Sequence, residues 1–86
     1  MEPERITFPT EYPIKVIARA SDDLRQRLDA IFTLHLGPFA EHLVSARPSA
    51  QNSFVALTYV MLVQAESQLA PLHADLQRSE GVIMVL

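Results

Sequence analysis

The chain has no cysteine, which excludes disulfide staples, thiol redox chemistry, cysteine-based metal transfer and Fe–S ligation. Cations are scarce: seven Lys and Arg stand against ten Asp and Glu, a formal net charge of −3 at pH 7. A dedicated nucleic-acid binder needs a surplus of cations for its phosphate contacts, so that class is excluded. Long hydrophobic runs are also missing. The uncharged stretch from Gln51 to Gln64 holds only about ten contiguous apolar-type residues, too few to span a bilayer. The opening Met1-Glu2-Pro3-Glu4 is acidic, the opposite of a signal peptide's basic start and apolar core, so a cytoplasmic chain without a membrane role is expected. Glycine occurs only twice, and no serine stands in a nucleophile elbow or a glycine-rich oxyanion loop.

What is present is 86 residues, 49% apolar and 20% charged, the composition of one small domain. Such a chain buries only about 60–65% of its unfolded surface, so its core is thin. Pro3, Pro9 and Pro13 each remove a backbone donor, and residues 1–11 are expected to form an irregular arm ahead of a domain spanning 12–86. From Tyr12 to Ala18 the residues alternate. Ile14, Val16 and Ala18 point one way, and Lys15, Ile17 and Arg19 the other, as in a strand with one buried face. Ser21 is positioned to cap a helix whose first turn holds Asp22 and Asp23, where the dipole favours negative charge. Leu24, Leu28, Ile31, Phe32 and His35 form its apolar stripe, with Arg25, Gln26, Arg27 and Asp29 on the outer side. Gly37-Pro38 ends it.

Phe39 to Arg47 reads as a second strand. Residues 48–53 form a turn by composition, with Asn52 best able to take positive φ. Phe54 to Val63 is a third strand, rich in β-branched and aromatic residues. Val55, Leu57, Tyr59, Met61 and Val63 line one face of it. Ala65, Leu69, Leu72 and Leu76 mark a second helix, with Pro71 either in its first turn or at a kink. Val82 to Leu86 is the last strand. The order β-α-β-β-α-β predicts an α+β fold, the ferredoxin-like two-layer sandwich: a four-stranded antiparallel sheet with both helices on one face. The first and third strands are then central. The other sheet face is left uncovered and should carry Lys15, Ile17, Arg19, Thr58, Val60, Ile83 and Val85, a mixture more typical of a partner surface than of a solvated one.

Function on such a fold has to come from a site. The turn Ala18-Arg19-Ala20-Ser21-Asp22-Asp23 lacks the basic, glycine-rich cradle of an acylphosphatase, and two carboxylates at a helix N-terminus repel the anion that the dipole attracts. Phe54 and Tyr59 lie on opposite faces of the third strand and cannot form one base-stacking platform. The three histidines, His35, His42 and His73, show no ligand spacing and read as structural or surface residues, so no metal and no cofactor is expected. Met61 and Met84 read as core fillers. No catalytic set stands out, and a non-enzyme is expected.

The segment Phe8-Pro9-Thr10-Glu11-Tyr12-Pro13-Ile14-Lys15-Val16-Ile17 resembles the opening of the YbeD-like proteins, a bacterial family of unknown function. The ending Gln68-Leu69-x-x-Leu72-His73-x-x-Leu76, followed by Val82-x-Met84-Val85-Leu86, resembles that family's C-terminal half. His35 and the segment from Ser49 to Thr58 also fall in matching places. Ala18, Asn52 and His73 stand where the family usually or often has Gly, Gly and Tyr; Asn52 can still adopt the turn. The resemblance implies a ferredoxin-like fold similar to ACT regulatory domains, which typically dimerise and bind amino acids or other small effectors at the interface. It also implies a loose link to lipoate metabolism. Two readings follow. The first is a regulatory or interaction module that meets a homodimer partner or another protein through the sheet face or an edge strand, with Lys15, Ile17, Arg19, Thr58 and Val85 on the surface. The second is an ACT-like binder of an amino acid or a lipoate-related metabolite, using the turn that holds Arg19, Asp22 and Asp23.

Overall fold

A computed structural model describes residues 7–86. The elements run β1 (Thr10–Arg19), α1 (Leu24–Leu36), β2 (Val44–Pro48), β3 (Phe54–Val63), α2 (Leu69–Arg78) and β4 (Val82–Val85), with short 3-10 turns at Glu41–Leu43 and Glu66–Gln68. The four strands form one antiparallel sheet in the order β2-β3-β1-β4. This is the expected ferredoxin-like α+β sandwich with β1 and β3 at its centre. β1 begins at Thr10, two residues earlier than expected, because its pairing with β3 runs without a break from Thr10↔Val63 to Arg19↔Phe54. Residues 1–6 of the expected arm lie outside the described residues.

Alternation explains the core. Ile14, Val16 and Ala18 of β1 and Leu57, Tyr59, Met61 and Val63 of β3 are buried; Leu24, Leu28 and Phe32 of α1 and Leu72 and Leu76 of α2 close over them. Both helices therefore cover the same sheet face. Gly37 stops α1 with φ 86°, and its N–H donates to the Thr33 carbonyl at 2.9 Å. A side chain there would be strained in that left-handed conformation. Asn52 takes φ 56° in the β2–β3 turn, as its residue type allowed.

Three local expectations need correction. The second strand does not start at Phe39. Phe39 instead sets its ring edge-on to Tyr59, with centroids 5.7 Å apart, and the chain turns through Glu41–Leu43 before pairing from Val44. His42 thus sits in a 3-10 turn and not on an edge strand. The helix cap also differs. Asp23 occupies the N-cap position of α1, but neither it nor Ser21 makes a side-chain capping bond. Met84 is no core filler, since it is 47% exposed. Pro71 falls at the third position of α2, where a helix has no partner for the backbone N–H, so no bond is lost and no kink is required.

Candidate functional site: the uncovered sheet face

The register fixes what the uncovered face presents. Cross-strand partners share a face, so one row across the sheet reads Ser45, Thr58, Lys15, and the next reads Arg47, Ala56, Ile17, Met84. Arg19 and Phe54 follow as a pair. Strands lie about 4.8 Å apart and same-face residues about 7 Å apart along a strand, which makes this a contiguous surface. Phe54, Leu62 and Met84 are exposed on it. Leu86 joins them, because it exchanges both backbone hydrogen bonds with Lys15 at 2.8 and 3.1 Å.

Of the predicted surface residues, Lys15, Ile17, Arg19 and Thr58 lie on this face and Val85 does not. Val85 pairs with Val16 and packs against the core. The cause is a register shift: Ile17 pairs with Met84 but Ala18 pairs with Val82, leaving Ile83 as an extra residue in β4. A bulge of one residue exchanges the faces beyond it. Met84 takes the outward place that simple alternation gave to Val85. Arg47 was also missed, although the period of two from Ser45 through the short β2 was a signal for it.

The described Lys and Arg side chains divide by face. Behind the sheet, Arg25 donates to Asp29 at 2.8 Å and to Glu41 at 2.9 Å, Arg27 to Asp23 at 3.0 Å, and Arg78 to Asp75. Lys15, Arg19 and Arg47 form no ion pair among the described residues. Two adjoining hollows on the uncovered face are each lined by Lys15, Arg47 and Ala56, the first about 270 Å³ and bounded by Ile17 and Phe54, the second bounded by Ser45 and Thr58. Ala56 supplies the low floor, because its side chain ends at Cβ.

The β1–α1 turn is built differently. A separate hollow there is lined by Arg19, Ser21, Asp23, Arg27, Glu80 and Gly81; Asp22 does not line it. Arg27, placed by the sequence on the outer side of the helix, staples two turns together. Its guanidinium donates to Asp23, to the Ser79 hydroxyl at 2.9 Å, to the Glu80 carbonyl at 2.9 Å and to the Ser21 hydroxyl at 3.3 Å. The Ser21 hydroxyl donates to Asp23 at 3.0 Å. Hydrogen bonds from Ser21 and then Arg27 hold the Asp23 carboxyl below the usual carboxylate range.

Two further polar clusters knit the layers. The Tyr59 phenol, inside the core, donates to Asp29 at 2.6 Å while its ring stacks on Phe32 with centroids 3.8 Å apart. Burial, and then the bond to Asp29, push that phenol above its ordinary range. His35 Nε2 lies 2.6 Å from Asp75 Oδ2, joining α1 to α2. No group of three or more His, Cys, Asp or Glu among the described residues could hold a metal ion.

Comparison with known proteins now fixes the family. The family described as "Protein of unknown function (DUF493)" matches residues 3–86. The chain belongs to this family. Its similar relatives include a UPF0250 protein of Shewanella woodyi, 31% identical over 83 residues, covering 96% of this chain and 92% of the relative. A UPF0250 protein of Hahella chejuensis is 31% identical over 85 residues, covering 99% and 93%. The YbeD-like resemblance read from the two ends of the sequence is thereby confirmed. Among solved structures, the solution structure of protein HP0495 from H. pylori superposes with a TM-score of 0.79 at 19% identity, covering 99% of this chain and 89% of that one. The ACT domain from the GTP pyrophosphokinase of Chlorobium tepidum superposes with a TM-score of 0.61 at 15% identity, covering 90% and 97%. At these identities the two structures establish the shared fold. No described helix is long and apolar enough to cross a membrane.

Proposed function

We propose that the DUF493 chain is a non-catalytic cytoplasmic interaction module whose working surface is the uncovered sheet face. One observation carries this reading: the three described cations without an ion pair, Lys15, Arg19 and Arg47, all project from that face beside exposed apolar side chains. A solvated face needs no Phe54, Met84 and Leu86 set together, and a face meant only for packing would not carry cations. Like charges oppose a dimer that stacks this face on itself, so self-association belongs to the edge strands. The ACT-like reading, with an effector ammonium at the β1–α1 turn, ranks second. A hollow is present there, but its carboxylate Asp23 already accepts from Arg27 and Ser21.

The test is site-specific photo-cross-linking in growing cells. A benzophenone side chain at Thr58 should yield discrete protein adducts, and the same group at Gln26, on the solvent side of α1, should yield none. Equal patterns at the two positions, or no adduct at Thr58, would remove the reading. A Thr58 adduct at twice the chain mass would move the dimer from the edges to the face and contradict the charge argument.

A further inference from the structure

The hollow over Ala56 says more about what the face receives, and this step rests on the interaction-module reading. Lys15 on β1 and Arg47 on β2 stand on either side of β3, diagonally across Ala56 and Thr58. Their Cα atoms are two strands and one same-face step apart, about 12 Å by sheet geometry. Both side chains are long enough to reach inward over the small Ala56 from opposite sides, and both line the two hollows. Neither is neutralised by a carboxylate among the described residues, in a chain whose net charge is −3. The hydroxyls of Ser45 and Thr58 border one of these hollows, while Ile17 and Phe54 bound the other.

We infer that these adjoining hollows receive an amphipathic segment of another protein, an acidic side chain placing its carboxylate between Lys15 and Arg47 and the segment's apolar residues resting on Ile17 and Phe54. Two cations with hydroxyl donors suit a carboxylate, and Arg adds a planar fork for it. The chemistry beside them is apolar, which an acidic residue within an amphipathic segment matches and a free small anion does not. A nucleic acid fits poorly. Recognition of bases on a sheet uses several stacked aromatics, and Phe54 is the one aromatic on the outward side of β3. A lipid surface fits less well than a peptide, because membrane attraction by charge needs a cluster of about four to eight cations.

The probe is a fluorescein-labelled amphipathic peptide built from Glu, Leu, Phe and Ala, set against the same sequence with Lys replacing each Glu. The acidic peptide should bind the full chain, weaken as salt is added, and shift the backbone amides of Lys15, Ile17, Ala56 and Thr58 in a 15N-labelled sample. The double substitution Lys15→Glu with Arg47→Glu should weaken binding at least about tenfold, with its amide spectrum otherwise intact, while Lys15→Arg with Arg47→Lys should retain it. Equal binding of the basic peptide, shifts confined to the helices, or a charge reversal without effect would overturn the inference. So would failure of the acidic peptide while vesicles of phosphatidylglycerol sediment the protein. Thr58 adducts in cells without acidic-peptide binding would overturn this inference and spare the interaction-module reading; absence of both would remove both.

Discussion

Ile14 and Ile17 sit three residues apart on β1 and face opposite sides of one sheet. Ile14 is fully buried under the helices. Ile17 is only partly covered, with Lys15 and Arg19 as its same-face neighbours along the strand. The contrast extends across the sheet. On the covered side the described arginines are committed to carboxylates, the one core tyrosine has an acceptor, and two apolar helix stripes exclude water. On the uncovered side the cations are uncommitted and large apolar side chains are exposed. The buried core lies on one face of the sheet, and the cations without an ion pair among the described residues lie on the other.

The sharpest way to break that comparison is to make the same change on both faces. Ile14→Ala opens a cavity in a closed core and should cost about 2–5 kcal/mol, whereas Ile17→Ala should cost about 1 kcal/mol or less. Urea unfolding of the two variants reads this directly. Similar losses would mean that the uncovered face is packed against something in the purified protein, a second copy being the first suspect.

A smaller effect separates neighbours on β4. Val85→Lys places a cation on the core side and should destabilise by about 1–3 kcal/mol, while Met84→Lys on the outward side should change stability by about 0.5 kcal/mol or less. The denaturation midpoints of the pair test the bulge itself. If Met84→Lys proved the more damaging, the register beyond Ala18 would be the simple alternation that the sequence suggests.

That bulge marks a limit of sequence reading. The outward set of β1 and β3 was legible because both strands alternate over ten residues and pair with each other without interruption. β4 is four residues long and entirely apolar, so its pattern holds no period to count, and a single unpaired residue reassigns Val85 and Met84. β2 was hidden for a related reason. It is short and half polar, and its start is set by Phe39 reaching Tyr59, a contact between residues 20 positions apart in sequence. Long-range hydrogen bonds were invisible in the same way: nothing local marks Arg27 as the partner of Ser79 or Asp29 as the acceptor for Tyr59. The family, by contrast, was readable from the two ends of the chain, and its match covers residues 3–86.

The smallest predicted effect concerns the seam between the helices on the covered side. Hydrogen bonds from His35, and then from Arg78, hold the Asp75 carboxyl below the usual carboxylate range. A carboxylate whose pKa is depressed by folding adds stability that is fully present above its unfolded value of about 3.9 and is lost as pH falls through the lower folded value. Asp75→Asn removes that titration but leaves Asp23, also depressed, in place, so in the acid range the difference between wild type and variant follows Asp75. Measured by urea midpoint, that difference should shrink as pH falls below about 4. The change should be modest, because Arg78 is largely exposed and ion pairs open to solvent contribute little. A difference that held constant to the acid limit would mean that α1 and α2 are kept together by Phe32, Leu28 and Leu72 alone, with the His35–Asp75 bond following the packing and adding nothing to it.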